Sequence, residues 1–133
     1  TILPIMKRQK HGHIVFMSSP AGYRGLPNSG LYGVTKSALT FLSESLYLEL
    51  ERNNIKVQVV NPGFIKTPMT DKNDFKMPFI MSSKEAATRL IKGLDVDTFE
   101  ISFPKRLIIP MKILQLLPYS LYFFLMRKLL RRI

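Results

Sequence analysis

A chain of 133 residues, 46% of them hydrophobic, has the length of one ordinary domain and enough apolar side chains to bury a core. Cysteine is absent, which excludes disulfides and thiolate metal sites, and the two histidines, His11 and His13, read as solvated residues just before a strand rather than as metal ligands. The net charge of +11 is lopsided: +3 up to His13, +1 from Ile14 to Phe103, and +7 from Pro104 onward, where no acid occurs; such a block points to nucleic acid or an anionic membrane surface.

Thr1 to Lys10 reads as the tail of a helix whose beginning lies upstream. Ile14 to Met17 is a continuous apolar run, as expected of a strand in a parallel sheet covered on both faces. Pro20 to Gly30, with three glycines and two prolines, predicts a loop. Ser29 is placed to cap the next helix with its hydroxyl. In that helix Leu31, Val34, Ala38, Phe41, Leu42, Leu46 and Leu50, with small Ser45 among them, fall near a 3.6-residue period and are expected to face the core. About 22 residues of helix are about 33 Å long, ample to span a sheet, and Asn53-Asn54 suits a left-handed turn at its end. Ile55 to Asn61 is the next strand, so the unit reads as a right-handed βαβ with parallel strands.

Pro62-Gly63 stops that strand; Gly63 has no Cβ, so a ligand can approach the backbone there. Thr67-Pro68 predicts a helix start. Asp71 to Met81 is polar and aperiodic. Ser82-x-x-Glu85 is a capping box opening a helix that carries Ala86, Ala87, Leu90 and Ile91 and closes at Gly93. Phe99 to Phe103 is a last short strand, ended by Pro104.

Leu107 to Met126 is apolar apart from Lys112, Gln115 and Ser120, is interrupted by Pro110 and Pro118, and is followed by Arg127, Lys128, Arg131 and Arg132. Its length approaches the ~20 residues of a membrane span, but the prolines, lysine and glutamine argue against crossing. The pattern predicts two short helices lying in a membrane interface, with Tyr119, Tyr122, Phe123 and Phe124 at headgroup level and the bases toward anionic lipid. The alternative is a helical flap over a pocket, or a dimer contact. Nucleic acid is not expected, because the core is near neutral and the tail aromatics sit inside an apolar run rather than interleaved with bases.

Tyr32 and Lys36 lie four residues apart and share one helix face. An ammonium one turn from a phenol favours the phenolate, which makes Tyr32 a candidate general acid/base. Ser19, at the end of the preceding strand, is placed to hydrogen-bond a carbonyl or alcohol beside it; Ser18 is its neighbour and rival, and Ser19 is preferred on its spacing of thirteen residues to Tyr32.

His13-Ile-Val-Phe-Met-Ser-Ser, then Ala21-Gly22, then Tyr32-x-x-x-Lys36, then Asn61-Pro-Gly-x-x-x-Thr67 after another strand, resembles the short-chain dehydrogenase/reductase family from about Leu3 to about Leu94. The resemblance implies an α/β fold, the C-terminal half of a Rossmann-type doubly wound parallel sheet, over residues 1–103, with a helical apolar and basic tail over 104–133. It implies an NAD- or NADP-dependent oxidoreductase interconverting a carbonyl and an alcohol. In that reading Ser19 holds the substrate oxygen, Tyr32 exchanges the proton, and Lys36 supports it and binds the nicotinamide ribose. Pro62, Gly63, Ile65 and Thr67 border the nicotinamide, and Asp71 to Met81 takes the position of the substrate lid. No Gly-rich strand-to-helix turn is present to hold a pyrophosphate, so the chain reads as a fragment expected to bind dinucleotide poorly alone.

A small carbonyl or alcohol, lipid-like given the apolar tail, is the expected substrate. A cytoplasmic, membrane-associated homo-oligomer is the expected full-length form. The rival function is a catalytically inactive family member acting as a membrane-associated binding protein, against which the intact Ser19, Tyr32 and Lys36 argue.

Overall fold

The computed structural model describes residues 2–131, so that Arg132, expected among the tail bases, lies outside the described residues. The elements run α1 (Leu3–Gln9), β1 (Gly12–Met17), a 3-10 turn (Pro20–Gly22), α2 (Gly30–Leu50), β2 (Ile55–Pro62), α3 (Ser83–Leu94), β3 (Glu100–Phe103), α4 (Lys105–Leu116) and α5 (Tyr119–Leu130). The three strands are parallel in the order β1-β2-β3, with Ile14 opposite Val57 and Val60 opposite Ile101.

Alternation along β2 builds a core on each side of the sheet. Ile55 and Val57 pack with Leu50, Leu3, Met6, Ile14, Phe16 and Leu46, so α1 and α2 cover one face. Val60 packs with Ile101, Phe103, Met81, Ala86, Leu90 and Leu94, so α3 covers the other. The fold is the expected doubly wound α/β arrangement. β1 departs from expectation, since only Ile14 and Phe16 are covered while Val15 and Met17 face outward, exposed. His13 lies within β1 rather than before it, and its Nε2 donates to Oε1 of the fully buried Gln58 at 2.8 Å. The Gln58 amide turns its nitrogen to the carbonyls of Thr98, Val96 and Gly93, which satisfies a polar side chain in mid-core.

α2 ends as expected, with Asn54 left-handed after a 3-10 turn at Glu51–Asn53. Its orientation is not as expected. Leu31, Val34, Phe41 and Leu42 are exposed, and the buried positions are Ser43 and Leu50. Small or polar residues face the sheet because the helix crosses it at close range: Thr40 and Ser43 bond back to their own helix, and Ser18 bonds the carbonyl of Lys36. Ser29 stands at the N-cap without a side-chain cap bond; its carbonyl accepts Gly33 N–H at 2.6 Å.

The Thr67-Pro68 step opens no regular helix. Thr67 and Thr70 exchange side-chain and backbone bonds in a tight turn leading into a 3-10 turn at Thr70–Lys72. The cap at Ser82 is present, its hydroxyl accepting Glu85 N–H at 3.2 Å. α3 runs through Gly93 to Leu94 rather than stopping there, and Ala87 and Ile91 face solvent. Gly93 has a packing reason instead, since a Cβ there would lie 2.4 Å from Cγ2 of buried Ile101. In an unobstructed helix Gly→Ala gains about 1 kcal/mol. Overpacking costs about 1–3 kcal/mol, so Gly93→Ala should lower the urea midpoint rather than raise it, and a raised midpoint would contradict this packing.

Candidate active site

The carboxyl end of β1, the first turns of α2 and the turn between them meet without intervening side chains. Ser19 caps the 3-10 turn, its Oγ accepting Ala21 N–H at 3.2 Å. A Cβ on Gly22 would lie 2.8 Å from backbone atoms of Lys36 and Ser37, and one on Gly33 would lie 3.0 Å from the carbonyl oxygen of Ala21. The two glycines therefore let the turn lie directly on α2, level with Tyr32 and Lys36. Lys36 Nζ donates to the carbonyl of Met17, the last residue of β1, at 2.9 Å and stands 5.6 Å from the centre of the Tyr32 ring. Tyr32 is half exposed. Ser18 is buried, with its hydroxyl bonded to Lys36 O at 2.8 Å and to Thr40 at 3.0 Å. Ser19 only accepts, so its proton is free for an incoming oxygen among the described residues.

The loop after β2 ends at the same edge of the sheet. Gly63 N–H donates to Phe103 O at 2.7 Å, and the space beside its Cα is taken by Pro104 and Leu107. Pro104 and Leu107 of the tail thus pack against Gly63 on the side a Cβ would take. Pro62 closes β2 opposite Phe103. Thr67 N–H and Oγ1 are engaged by Thr70, while Ile65 pairs with Met81 and keeps its N–H free among the described residues. A free backbone donor on the loop after β2 and an ammonium at Lys36 are donor types that fit a nicotinamide carboxamide and ribose.

A second cluster was not legible in the chain. Tyr23 Oη donates to Glu100, Asn61 Nδ2 donates to the same oxygen at 2.8 Å, and Lys112 Nζ bonds the other oxygen. Burial pushes the Glu100 carboxyl up, but the bonds from Lys112, Tyr23 and Asn61 outweigh it and hold the group below the usual carboxylate range. Burial, with the bond to Glu100 and its charge, pushes the Tyr23 phenol well above its ordinary value, against smaller opposing bonds from Ser102 and Asn61. These partners lie 77, 39 and 12 residues from Glu100 in sequence, and no local pattern announces them. Tyr122, expected at headgroup level, is buried, and its hydroxyl donates to Gly25 O.

Against this geometry, the family model described as short chain dehydrogenase matches residues 1–78. The chain belongs to the short-chain dehydrogenase family. An uncharacterized oxidoreductase of Myxococcus xanthus is 37% identical over 121 residues, covering 91% of this chain and 48% of the relative. Two solved structures share the architecture. A short-chain dehydrogenase from Sphingobium yanoikuyae in complex with NADPH has a TM-score of 0.67 and 27% identity, covering 74% of this chain and 40% of that one. One from Burkholderia cenocepacia J2315 in complex with NADP has a TM-score of 0.72 at 23% identity, covering 83% and 46%, and speaks to the fold alone. The chain thus spans about half the length of the Myxococcus xanthus relative.

A groove of about 550 Å³ runs along α3, lined by Ser82, Lys84, Glu85, Thr88, Arg89 and Lys92, and includes none of Ser19, Tyr32, Lys36, Pro62, Gly63, Ile65 and Thr67.

Glu100 titrates lower when folded than its ordinary value of 4.5, so its contribution to stability is complete above that value and is lost as pH falls through the folded one. Glu100→Gln should therefore cost about 1.5–3 kcal/mol at pH 7, the range for hydrogen bonds to charged groups, and much less at pH 3. Denaturant titrations of both proteins at the two pH values check this, and an equal loss at both would refute it.

Proposed function

We propose that this chain supplies the proton-transfer side of an NAD- or NADP-dependent oxidoreductase that interconverts a carbonyl and an alcohol. The observation that supports the reading is the joining of the end of β1, which leads into Ser19, to the start of α2, where Lys36 Nζ reaches Met17 O and stands 5.6 Å from the centre of the Tyr32 ring, with the turn at Gly22 and Gly33 in backbone contact with the helix. The Sphingobium yanoikuyae dehydrogenase, which is in complex with NADPH, supports the cofactor class. When bound, a nicotinamide supplies or accepts the hydride. Ser19 holds the substrate oxygen by a hydrogen bond from its hydroxyl and keeps its proton. Tyr32 gives a proton to the alkoxide in reduction and takes it back in oxidation. Lys36 stabilises the charge the phenol acquires and reaches the ribose hydroxyls. Pro62, Gly63, Ile65 and Thr67 border the nicotinamide, with the free Ile65 N–H as the carboxamide donor and Gly63 held in place by the tail. In the full-length protein Tyr32→Phe should lower turnover by ~10² to 10⁴ with NADPH affinity nearly unchanged, whereas Lys36→Met should damage both. Loss of NADPH absorbance across a panel of ketones, with affinity from cofactor fluorescence, reads the two effects; half the activity surviving in Tyr32→Phe would sink the assignment.

The tail supports a second element of this reading, contact with the cytoplasmic face of a membrane and a lipid-like substrate. Along α5 only Tyr122 and Met126 escape full exposure, while Leu121, Phe123, Phe124, Leu125, Leu129 and Leu130 are open. A helix apolar on nearly every side calls for a cover. No helix among the described residues is long and apolar enough to cross a membrane, and bases near an anionic surface contribute ~1 kcal/mol each. The full-length protein is proposed as a homo-oligomer, for which the outward row Leu31, Val34, Phe41 and Leu48 of α2 offers apolar surface. Phe124 and Leu125 carry none of the tail's bonds to the core, so their double change to Glu leaves the fold intact and should abolish co-sedimentation with vesicles containing anionic phosphatidylserine. Undiminished binding, or binding by neither protein, would overturn the membrane contact.

A further inference from the structure

Three consecutive residues of the loop between Ser19 and Tyr32 are each tied to the C-terminal third of the chain. Tyr23 bonds Glu100 on β3, which bonds Lys112 on α4; Arg24 bonds the joint between α4 and α5; Gly25 O accepts the hydroxyl of Tyr122 on α5. Arg24 makes the central tie. Its Nη1 donates to Leu114 O at 2.7 Å, Gln115 O at 3.0 Å and Leu117 O at 2.6 Å, carbonyls at and just past the end of α4, of which Leu114 O also accepts the cap bond from Leu117 N–H at 3.4 Å. Its guanidinium lies 4.0 Å from the centre of the Tyr122 ring and 5.0 Å from that of Tyr119. No carboxylate pairs with it among the described residues; the negative end of α4 takes that place.

Resting on the catalytic reading above, we propose that Arg24 is a positioning residue that lets the tail hold Ser19 in line with Tyr32. The turn Pro20–Gly22 sets the Ser19 hydroxyl through Ala21 N–H and is pressed on α2 at Gly22 and Gly33, while the side-chain bonds of Ser18 and Lys36 tie the end of β1, just ahead of the turn, to α2. The three ties at residues 23 to 25 hold it from the other side, and Arg24 carries three of the hydrogen bonds. A misplacement of about 1 Å in a reacting group costs about 10²-fold in rate, so releasing this hold acts on turnover before it acts on cofactor binding, which Lys36 and the loop after β2 serve from elsewhere. The tail is then part of the active-site framework as well as a surface.

The test uses the full-length protein with Arg24→Ala, Arg24→Lys and Tyr122→Phe, with Tyr32→Phe as the control on the reaction. Hydrogen–deuterium exchange at the amides of Ala21, Gly22 and Tyr23 should rise at least tenfold in Arg24→Ala, with the α2 amides beyond Thr40 unchanged. kcat for ketone reduction by NADPH should fall 10- to 100-fold with the KM for NADPH within twofold of wild type. Arg24→Lys should recover part of kcat, and Tyr122→Phe, which removes only the bond to Gly25, should show a 3- to 10-fold loss. Should Arg24→Ala not fold, Tyr122→Phe decides through the same exchange and kcat readings. Wild-type exchange at residues 21 to 23 in the folded variants overturns the proposal whether or not turnover is found. Activity surviving in Tyr32→Phe fails the catalytic reading instead, leaving the exchange result to judge the latch.

Discussion

The structure depends on one close approach, the backbone of the Pro20–Gly22 turn lying on the backbone of α2. Two positions make it possible. Any side chain at Gly22 would strike the Lys36–Ser37 peptide, and one at Gly33 would press on the Ala21 carbonyl. With nothing between them, the end of β1 and the start of α2 are drawn together, so that Lys36 reaches the carbonyl of Met17 and lies beside the Tyr32 ring. The same proximity dictates the inner face of α2, which carries Thr40 and Ser43 rather than large apolar residues because the helix is already against the sheet.

The C-terminal third answers this contact from the opposite side. β3 pairs with the end of β2 at Pro62 and Phe103, and Pro104 and Leu107 pack against Gly63, so the tail shapes the start of the loop after β2. The polar knot at Glu100 binds three elements to one carboxylate. Arg24 finds its counter-charge in the carbonyl end of α4. Placing a cation at a helix C-terminus contributes typically 0.3–1 kcal/mol, up to about 2 kcal/mol when partly buried, comparable with a surface ion pair at best. Its significance lies in where it acts.

What the tail leaves exposed is as informative as what it buries. α5 is covered at Tyr122 and Met126 and turns Leu121, Phe123, Phe124, Leu125, Leu129 and Leu130 to solvent beside Arg127 and Lys128, with Tyr119 stacked on Phe123 at 5.8 Å as one aromatic plate. Pro110 is carried inside α4, so Pro118 alone divides the tail into its two helices. A surface of this kind, with bases and no acids beyond Pro104, is suited to a face that is both apolar and negatively charged.

Taken by itself, the sequence determined the elements, their order and the family. Runs such as Ile14 to Met17 and Ile55 to Asn61, the capping serine at Ser82 and the spacing of Ser19, Tyr32 and Lys36 are local patterns, and local patterns follow from propensity, periodicity and turn chemistry along a few residues. The tertiary structure alone decided which way α2 faces, because the hydrophobic period marks Leu31, Val34 and Phe41 without saying whether the sheet or another surface takes them. It alone decided why Gly63 and Gly93 are glycines, since the colliding atoms belong to Leu107 and Ile101. It alone brought Tyr23, Arg24 and Gly25 to Glu100, to the end of α4 and to Tyr122, across 77 to 97 residues. Such pairings depend on where a helix ends in space, and a chain read along its length carries no term for that distance.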